Sequence, residues 1–385
     1  MRIRKSRFEV HKAQKIAGAL LAAFLVQSLW LVAHLPLDMS ETRAALAGRL
    51  LWSSRPLSGT SPLIPGDSIL TLRSAGALSA LAARWETSSY KFSIYGAPNR
   101  WLVRLPFVVF GVWLGAALWW VARRIFGDEG GYVALALYCF SPVMLLAGAT
   151  ANSGILTAWG LFGLVYTAIG VAHTLYAPPR KWRPRIVLLG VAIGLTAAGN
   201  LAAAVIGLSI AAAFMFYLAP GRRLACLAIL AAGSVIGTVI FLACFGFNLW
   251  DLASAGLKPN AEYLQFTGRR FVALFAAPGG LLLILAFVAG VLVFVLWKRT
   301  RYFGNAAPLV VALFLPWWPG RFFPGASVIW ALPFAFAFVG GMYADLLERG
   351  FFEGQFRRLV TATAMFLVGA SALLSITLLA HTLQF

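Results

Sequence analysis

Residues 101–127 read WLVRLPFVVFGVWLGAALWWVARRIFG. From Leu105 to Ala122 this stretch carries no charged side chain, and it closes on Arg123-Arg124. About 18 apolar residues in helical form are long enough to cross a hydrocarbon core ~30 Å thick, so the run predicts a transmembrane helix. The basic pair marks its cytoplasmic end, because Lys and Arg accumulate on that side of membrane spans.

Outward from this run the same pattern recurs. Further apolar runs cover 16–34, 130–146, 155–172, 186–198, 201–218, 224–245, 271–297, 306–318, 323–346 and 359–383. Together they predict an all-α integral membrane protein with about 11 transmembrane helices. Composition agrees: 61% of the residues are hydrophobic, 11% are charged and the mean hydropathy is +0.83, whereas soluble domains carry about 25% charged residues. A β-barrel is excluded, since its strands of ~10 residues alternate apolar and polar and these runs do not.

The net charge of +20 would suggest nucleic acid in a soluble chain. Here the basic residues sit at the ends of apolar runs, where they orient spans and meet anionic lipid, so no nucleic-acid partner is expected. The head MRIRKSRFEVHKAQK, the loop PPRKWRPR, Arg222-Arg223, KRTR and the stretch DLLERGFFEGQFRR (345–358) are predicted cytoplasmic. That places the N-terminus inside, the C-terminus outside, and the 35–100 loop on the external or periplasmic face of a plasma (inner) membrane. The first run is read as a retained helix, since no A-x-A cleavage site follows it.

The 35–100 loop is the long polar interruption, and the chemistry is expected there. It opens LPLDMSETRAALAGRLLW, with Asp38 and Glu41 three residues apart at the predicted start of a helix. One reading is helix capping and dipole compensation. The other is a carboxylate at the membrane surface acting as general base on an acceptor hydroxyl or amine. Asp67, Glu86, Asp251 and Glu262 are the remaining external acids. Arg43 and Arg49 flank apolar residues, as in a helix lying among lipid headgroups. The stretch around Arg73 and Arg84 reads the same way. Arg104 stands at the mouth of the second span; any of these arginines suits bidentate grip of a lipid-linked phosphate.

No acid or base lies within a span, which disfavours an ion-coupled transporter. Cys139, Cys226 and Cys244 fall in apolar runs without CxxC spacing, and the four histidines are scattered. No metal site or cofactor is therefore expected.

Several pieces carry a resemblance: Arg104-Leu105-Pro106, Phe110-Gly111, Arg123-Arg124 with Phe126-Gly127, Ser141-Pro142, and Arg321-Phe322-Phe323-Pro324 opening a late span. With one helix and a long external loop before them, they resemble the membrane glycosyltransferases of the C-type (GT-C) fold, near the protein O-mannosyltransferase and lipid A aminoarabinose transferase relatives. The resemblance covers the first 220 residues well and the rest loosely. It suggests a GT-C-like core over 1–220 and a C-terminal transmembrane module over 221–385, within one membrane domain. It implies a polyprenyl-phosphate sugar donor, inverting transfer on the outer face, and an acid of the first loop as base.

The implied site is Glu41 or Asp38 as base, with Arg104, Arg321, Arg43 or Arg49 on the phosphate and Asn152 orienting a substrate. Two departures stand out. Where the family has adjacent Asp-Glu, this chain has Ser40-Glu41. Where relatives carry an Arg and then an acid after Ser-Pro, GATANSGIL places Ala149 and Gly154. The alternative is therefore a non-catalytic relative that binds a polyprenyl lipid or serves as a subunit among partner membrane proteins.

Overall fold

The structure, a computed structural model, describes residues 12–52, 63, 68–85, 99–177, 182–253, 279–317, 324–348 and 354–382. Arg321, Asp67, Glu86 and Glu262 lie outside the described residues. Every regular element among the described residues is helical: α1 (Lys12–His34), α2 (Met39–Trp52), α3 (Ile69–Trp85), α4 (Arg100–Cys139), α5 (Pro142–Ala149), α6 (Ser153–Thr174), α7 (Arg183–Gly199), α8 (Leu201–Leu218), α9 (Arg223–Cys244), α10 (Gly280–Leu296), α11 (Phe303–Trp317), α12 (Pro324–Leu347) and α13 (Gly354–His381). Seven described helices are long and apolar enough to cross a membrane, and α10 and α11 are shorter apolar helices.

Two expected boundaries take a different form. Runs 101–121 and 130–146 were expected to be separated by a polar loop, yet α4 spans both. The chain turns at Gly127, whose φ of 78° and ψ of −176° break the helical path. A residue without Cβ adopts that backbone without steric cost, so one glycine replaces a loop. The run 130–146 is in turn broken at Phe140-Ser141, where the Ser141 hydroxyl caps α5 and Pro142 occupies its first turn. The Gly199-Asn200 hairpin holds as read: the Asn200 side chain accepts from the Ala203 N–H at 2.9 Å and caps α8.

The amphipathic segments also differ from expectation. The apolar faces of α2 and α3 do not lie against headgroups; they bury Ala44, Ala45 and Ala47 on one side and Ile69, Leu72 and Ala75 on the other. The two helices cross at Gly48 and Gly76 with backbones in contact. A Cβ on Gly48 would run into the Leu72 carbonyl and lie 2.8 Å from the Gly76 nitrogen.

At the centre of the bundle is α12, whose Trp330, Phe334, Phe336 and Phe338 are buried against α4 and α6. Phe334 stacks on Tyr166 with ring centroids 5.8 Å apart. One apolar cluster runs from Ala17 to Leu367, so the C-terminal stretch contributes to the same core as much of the first 220 residues, and a second cluster gathers α6 to α9 around Leu164, Leu189, Met215 and Cys226.

Hydrogen bonds show which turns share an end of the bundle. The Ser68 hydroxyl donates to the Ala198 carbonyl at 3.3 Å, and Arg73 Nε donates to the Cys244 carbonyl. Ala151 N–H reaches Glu41 of α2. The α5–α6 and α7–α8 turns and the end of α9 therefore gather around α2 and α3. Basic side chains collect elsewhere: Arg123 pairs with Asp128 at 2.5 Å, Arg185 donates to the Gly170 carbonyl at 2.5 Å, and Arg222 donates to the Leu175 carbonyl.

Candidate functional site

The turn after α1 places Asp38 and Glu41 at the first turn of α2. The Asp38 carbonyl accepts the Thr42 N–H at 2.9 Å, and the Asp38 N–H donates to Glu41 Oε2 at 3.0 Å. This is one half of a capping box: the Glu41 carboxylate reaches back to the Asp38 N–H, while the Asp38 carboxylate accepts instead from the Met39 N–H and the Ser40 hydroxyl.

Glu41 is only 4% exposed, and both its oxygens are engaged twice. Oε1 accepts Arg104 Nε at 2.9 Å and the Ala151 N–H at 2.7 Å. Oε2 accepts Arg104 Nη2 at 2.5 Å and the Asp38 N–H. A carboxylate offers about four lone-pair positions, so Glu41 has none left for a substrate proton. Burial pushes its carboxyl up, but the Arg104 guanidinium and the two backbone N–H groups outweigh burial and hold it below the usual value.

Arg104 is enclosed as well, at 1% exposed. Nη1 donates to the Leu35 carbonyl at 2.8 Å and Nη2 to the Pro36 carbonyl at 2.7 Å. Those carbonyls belong to the end of α1 and the chain leaving it, where helical partners run out. Arg104 therefore ties α1, α2 and α4 together, and its guanidinium is turned away from the role of phosphate clamp.

Asp38 is different: its side chain is exposed at the surface of this knot. Oδ2 accepts the Ser40 hydroxyl at 2.8 Å and Oδ1 accepts the Met39 N–H at 2.8 Å. The Ser40 hydroxyl first, and then the Met39 N–H, lower its pKa below the usual carboxylate value. It stays ionised at neutral pH, and each oxygen keeps acceptor capacity toward the solvent side.

Asn152 sits nearby as the N-cap of α6. Its Oδ1 accepts the Gly154 N–H at 2.8 Å and its Nδ2 donates to Thr150 Oγ1 at 2.6 Å. Both ends of the amide thus serve the turn that brings Ala151 to Glu41. Arg43 is exposed on α2, while Arg49, two turns along, is half-buried and lowered by that burial. Among the described residues no three His, Cys, Asp or Glu side chains gather as a metal site.

Sequence reasoning singled out Asp38, Glu41, Arg104 and Asn152, and the structure brings all four to one corner. It missed the groups that complete the corner: the Ala151 N–H, the Leu35 and Pro36 carbonyls, and the Ser40 hydroxyl. Three of those four are backbone atoms, which leave no mark in residue identity.

The arrangement of helices decides the likeness. Over 96% of this chain and 76% of the other, the structure superposes on apo ArnT from Cupriavidus metallidurans with a TM-score of 0.64 and 14% identity. The fold is that of the C-type membrane glycosyltransferases. A second GT-C structure, the Archaeoglobus fulgidus oligosaccharyltransferase in complex with zinc and sulfate, matches with a TM-score of 0.53 and 11% identity over 94% of this chain. Only 53% of that larger enzyme is covered. The family model for dolichyl-phosphate-mannose-protein mannosyltransferases matches residues 87–247, a stretch that holds Arg104 and Asn152 but not Asp38 or Glu41. No curated protein matches in sequence.

Proposed function

We propose that this GT-C protein transfers a sugar from a polyprenyl-phosphate carrier to a lipid, glycan or protein acceptor, with Asp38 as general base. The observation that carries the reading is the division of labour between two neighbouring carboxylates. Glu41 is sealed to Arg104 and to the Ala151 and Asp38 N–H groups, while the Asp38 side chain, held beside it, is exposed.

In the proposed reaction an acceptor O–H or N–H attacks the anomeric carbon as the bond to the carrier phosphate breaks. Asp38 takes the proton, and the polyprenyl phosphate leaves with the bonding electron pair. Positioned proton transfer of this kind contributes about 10²–10⁴-fold. The leaving phosphate needs cationic partners, a role this reading gives to Arg43, Arg49 or Arg321, while Arg104 binds Glu41.

The proposed topology puts the α2–α3 end outside and the N-terminus in the cytoplasm, with eleven crossings if α4 crosses twice about Gly127 and α7, α10 and α11 each cross once. The basic clusters at 123–124, 183–185, 222–223 and 298–301 support that direction.

A second reading, a non-catalytic lipid binder or complex subunit, is favoured by one feature. The α5–α6 turn, where family members carry charge, presents buried Ala149 and half-buried Asn152, the latter used as a cap. The deciding experiment incubates purified protein in vesicles with a panel of radiolabelled polyprenyl-phosphate sugars and follows loss of label from the carrier. Turnover of at least one donor supports the transferase; donor binding without turnover across the panel supports the binder.

A further inference from the structure

Between Glu129 and Asp251 the chain contains no Asp or Glu, yet it carries Arg183 and Arg185 at the start of α7 and Arg222 and Arg223 where α9 begins. Among the described residues no carboxylate pairs with any of these four. They lie at one end of the α6–α9 unit, where the α6–α7 and α8–α9 turns meet: the Arg222 guanidinium rests over the Tyr176 ring, 5.2 Å from its centroid. Positive charge gathered without counter-charge favours an anionic partner.

Two of the four guanidinium groups are fixed in place by the C-terminal end of α6. Arg185 Nη1 donates to the Gly170 carbonyl at 2.5 Å and to Thr174 Oγ1 at 3.3 Å, and Arg222 Nη1 donates to the Leu175 carbonyl. Cations there complement the helix dipole, which accounts for the anchoring. Only Nη1 is used, however, and Nε and Nη2 of both residues have no hydrogen-bond partner among the described residues. Gly170 and Leu175 are five residues apart, so the two anchor points lie about 7.5 Å apart along α6 at ~1.5 Å per residue. Arg183 and Arg223, beside them, are exposed.

Next to the charges the helix surface is apolar and uncovered. Val187 follows Arg183 by four residues, Leu188 follows Arg185 by three and Leu227 follows Arg223 by four, so each shares a helix face with its arginine. All three are more than half exposed. A soluble anion would use the guanidinium groups and leave these side chains bare, whereas a lipid uses both. We propose that this end of the unit binds a phospholipid whose headgroup carries two phosphodiesters joined by a glycerol. One phosphate meets Arg222 and Arg223 and the other Arg183 and Arg185, through the donors that α6 leaves unused, and the acyl chains run along Val187, Leu188 and Leu227. A glycerol bridge between two phosphates spans the separation of the two anchors. The site is separate from Asp38 and does not depend on the transferase reading.

Native mass spectrometry of the full chain tests the proposal, with cardiolipin and phosphatidylglycerol of the same acyl chains compared at equal phosphate. Cardiolipin is expected to be retained about fivefold better or more, the factor that one arginine near a lipid surface supplies. Arg183→Gln combined with Arg223→Gln changes two exposed positions outside the α6 contacts, so the fold should survive and cardiolipin retention should drop about fivefold for each charge removed. Arg185→Lys combined with Arg222→Lys keeps the charge but removes the fork of donors, and should abolish the preference for cardiolipin; if that variant does not fold, the Gln pair alone decides. Equal retention of the two lipids by the unmodified protein, full preference in the Lys pair, or undiminished cardiolipin retention in the Gln pair overturns the proposal. Inorganic pyrophosphate retained as strongly as cardiolipin would assign the patch to a soluble anion and overturn it too.

Discussion

Arg104 and Glu41 meet through two parallel hydrogen bonds, Nε to Oε1 at 2.9 Å and Nη2 to Oε2 at 2.5 Å, with both residues almost fully enclosed. The same guanidinium holds the Leu35 and Pro36 carbonyls, and the same carboxylate holds the Asp38 and Ala151 N–H groups. Removing one partner of a buried pair leaves an uncompensated charge and costs about 3–5 kcal/mol. Arg104→Ala and Glu41→Ala should each lower stability by about that amount in detergent unfolding. The double variant should cost well under their sum, since each side chain is deprived of the same partner. Additive losses would show that the pair is not coupled.

The pH dependence follows from the direction of the Glu41 shift. Its folded pKa lies below its ordinary value of 4.5, so its contribution to stability is fully present above pH 4.5 and is lost as pH falls through the folded value. Thermal melts should therefore be insensitive to this group from neutral pH down to about 4.5 and decline below it. Glu41→Gln should remove that acid-limb decline. A Glu41→Gln profile that keeps the wild-type acid limb would assign the loss to other groups.

Much of this corner was legible in the sequence, and the reason is chemical. An acid three residues after an acid, before a run of helix formers, is a capping signature, and an Arg opening an apolar span is conspicuous by its cost. The pairing of Glu41 with Arg104 was not legible, because 63 residues separate them and a lone charge carries no address. The fate of α2 was misjudged for a similar reason. Arg43 and Arg49 beside leucines look like a helix among headgroups, but Gly48 and Gly76 allow the backbones to touch, and the apolar face is covered by α3 instead. In α4, GDEGG looked like a loop, and one glycine at positive φ sufficed for the turn.

The α2–α3 crossing gives a prediction of its own. A methyl on Gly48 has no room between the Leu72 carbonyl and the Gly76 backbone, and both obstacles are main chain that cannot rotate away. Gly48→Ala and Gly76→Ala should each destabilise by about 1–3 kcal/mol or more, the cost of overpacking. Because α2 carries Asp38 at its cap, transfer should fall with them. A Gly48→Ala protein with unaltered melting temperature would contradict the crossing.

Asn152 separates a cap from a substrate contact. As a cap, Asn152→Ala costs about 1 kcal/mol of stability and Asn152→Asp, which retains the acceptor, costs little. The KM for donor and acceptor should be unchanged in Asn152→Asp. A rise in KM without loss of stability would instead assign Asn152 to substrate.

The protonation of Asp38 offers a kinetic signature. The Ser40 hydroxyl and the Met39 N–H hold its pKa below 3.8, so transfer should keep its full rate down to that region. Ser40→Ala removes the leading cause and should move the acid limb of the rate profile upward. An unmoved limb would mean that another group governs it.

The central claim is that Asp38 takes the proton while Glu41 only builds the corner. Turnover of Asp38→Asn tests this most directly, because the asparagine carbonyl can still cap α2 but cannot accept a proton. The expected result is a folded protein with the wild-type melting temperature whose transfer rate has fallen by about 10²–10⁴-fold. Wild-type turnover by folded Asp38→Asn would contradict the claim.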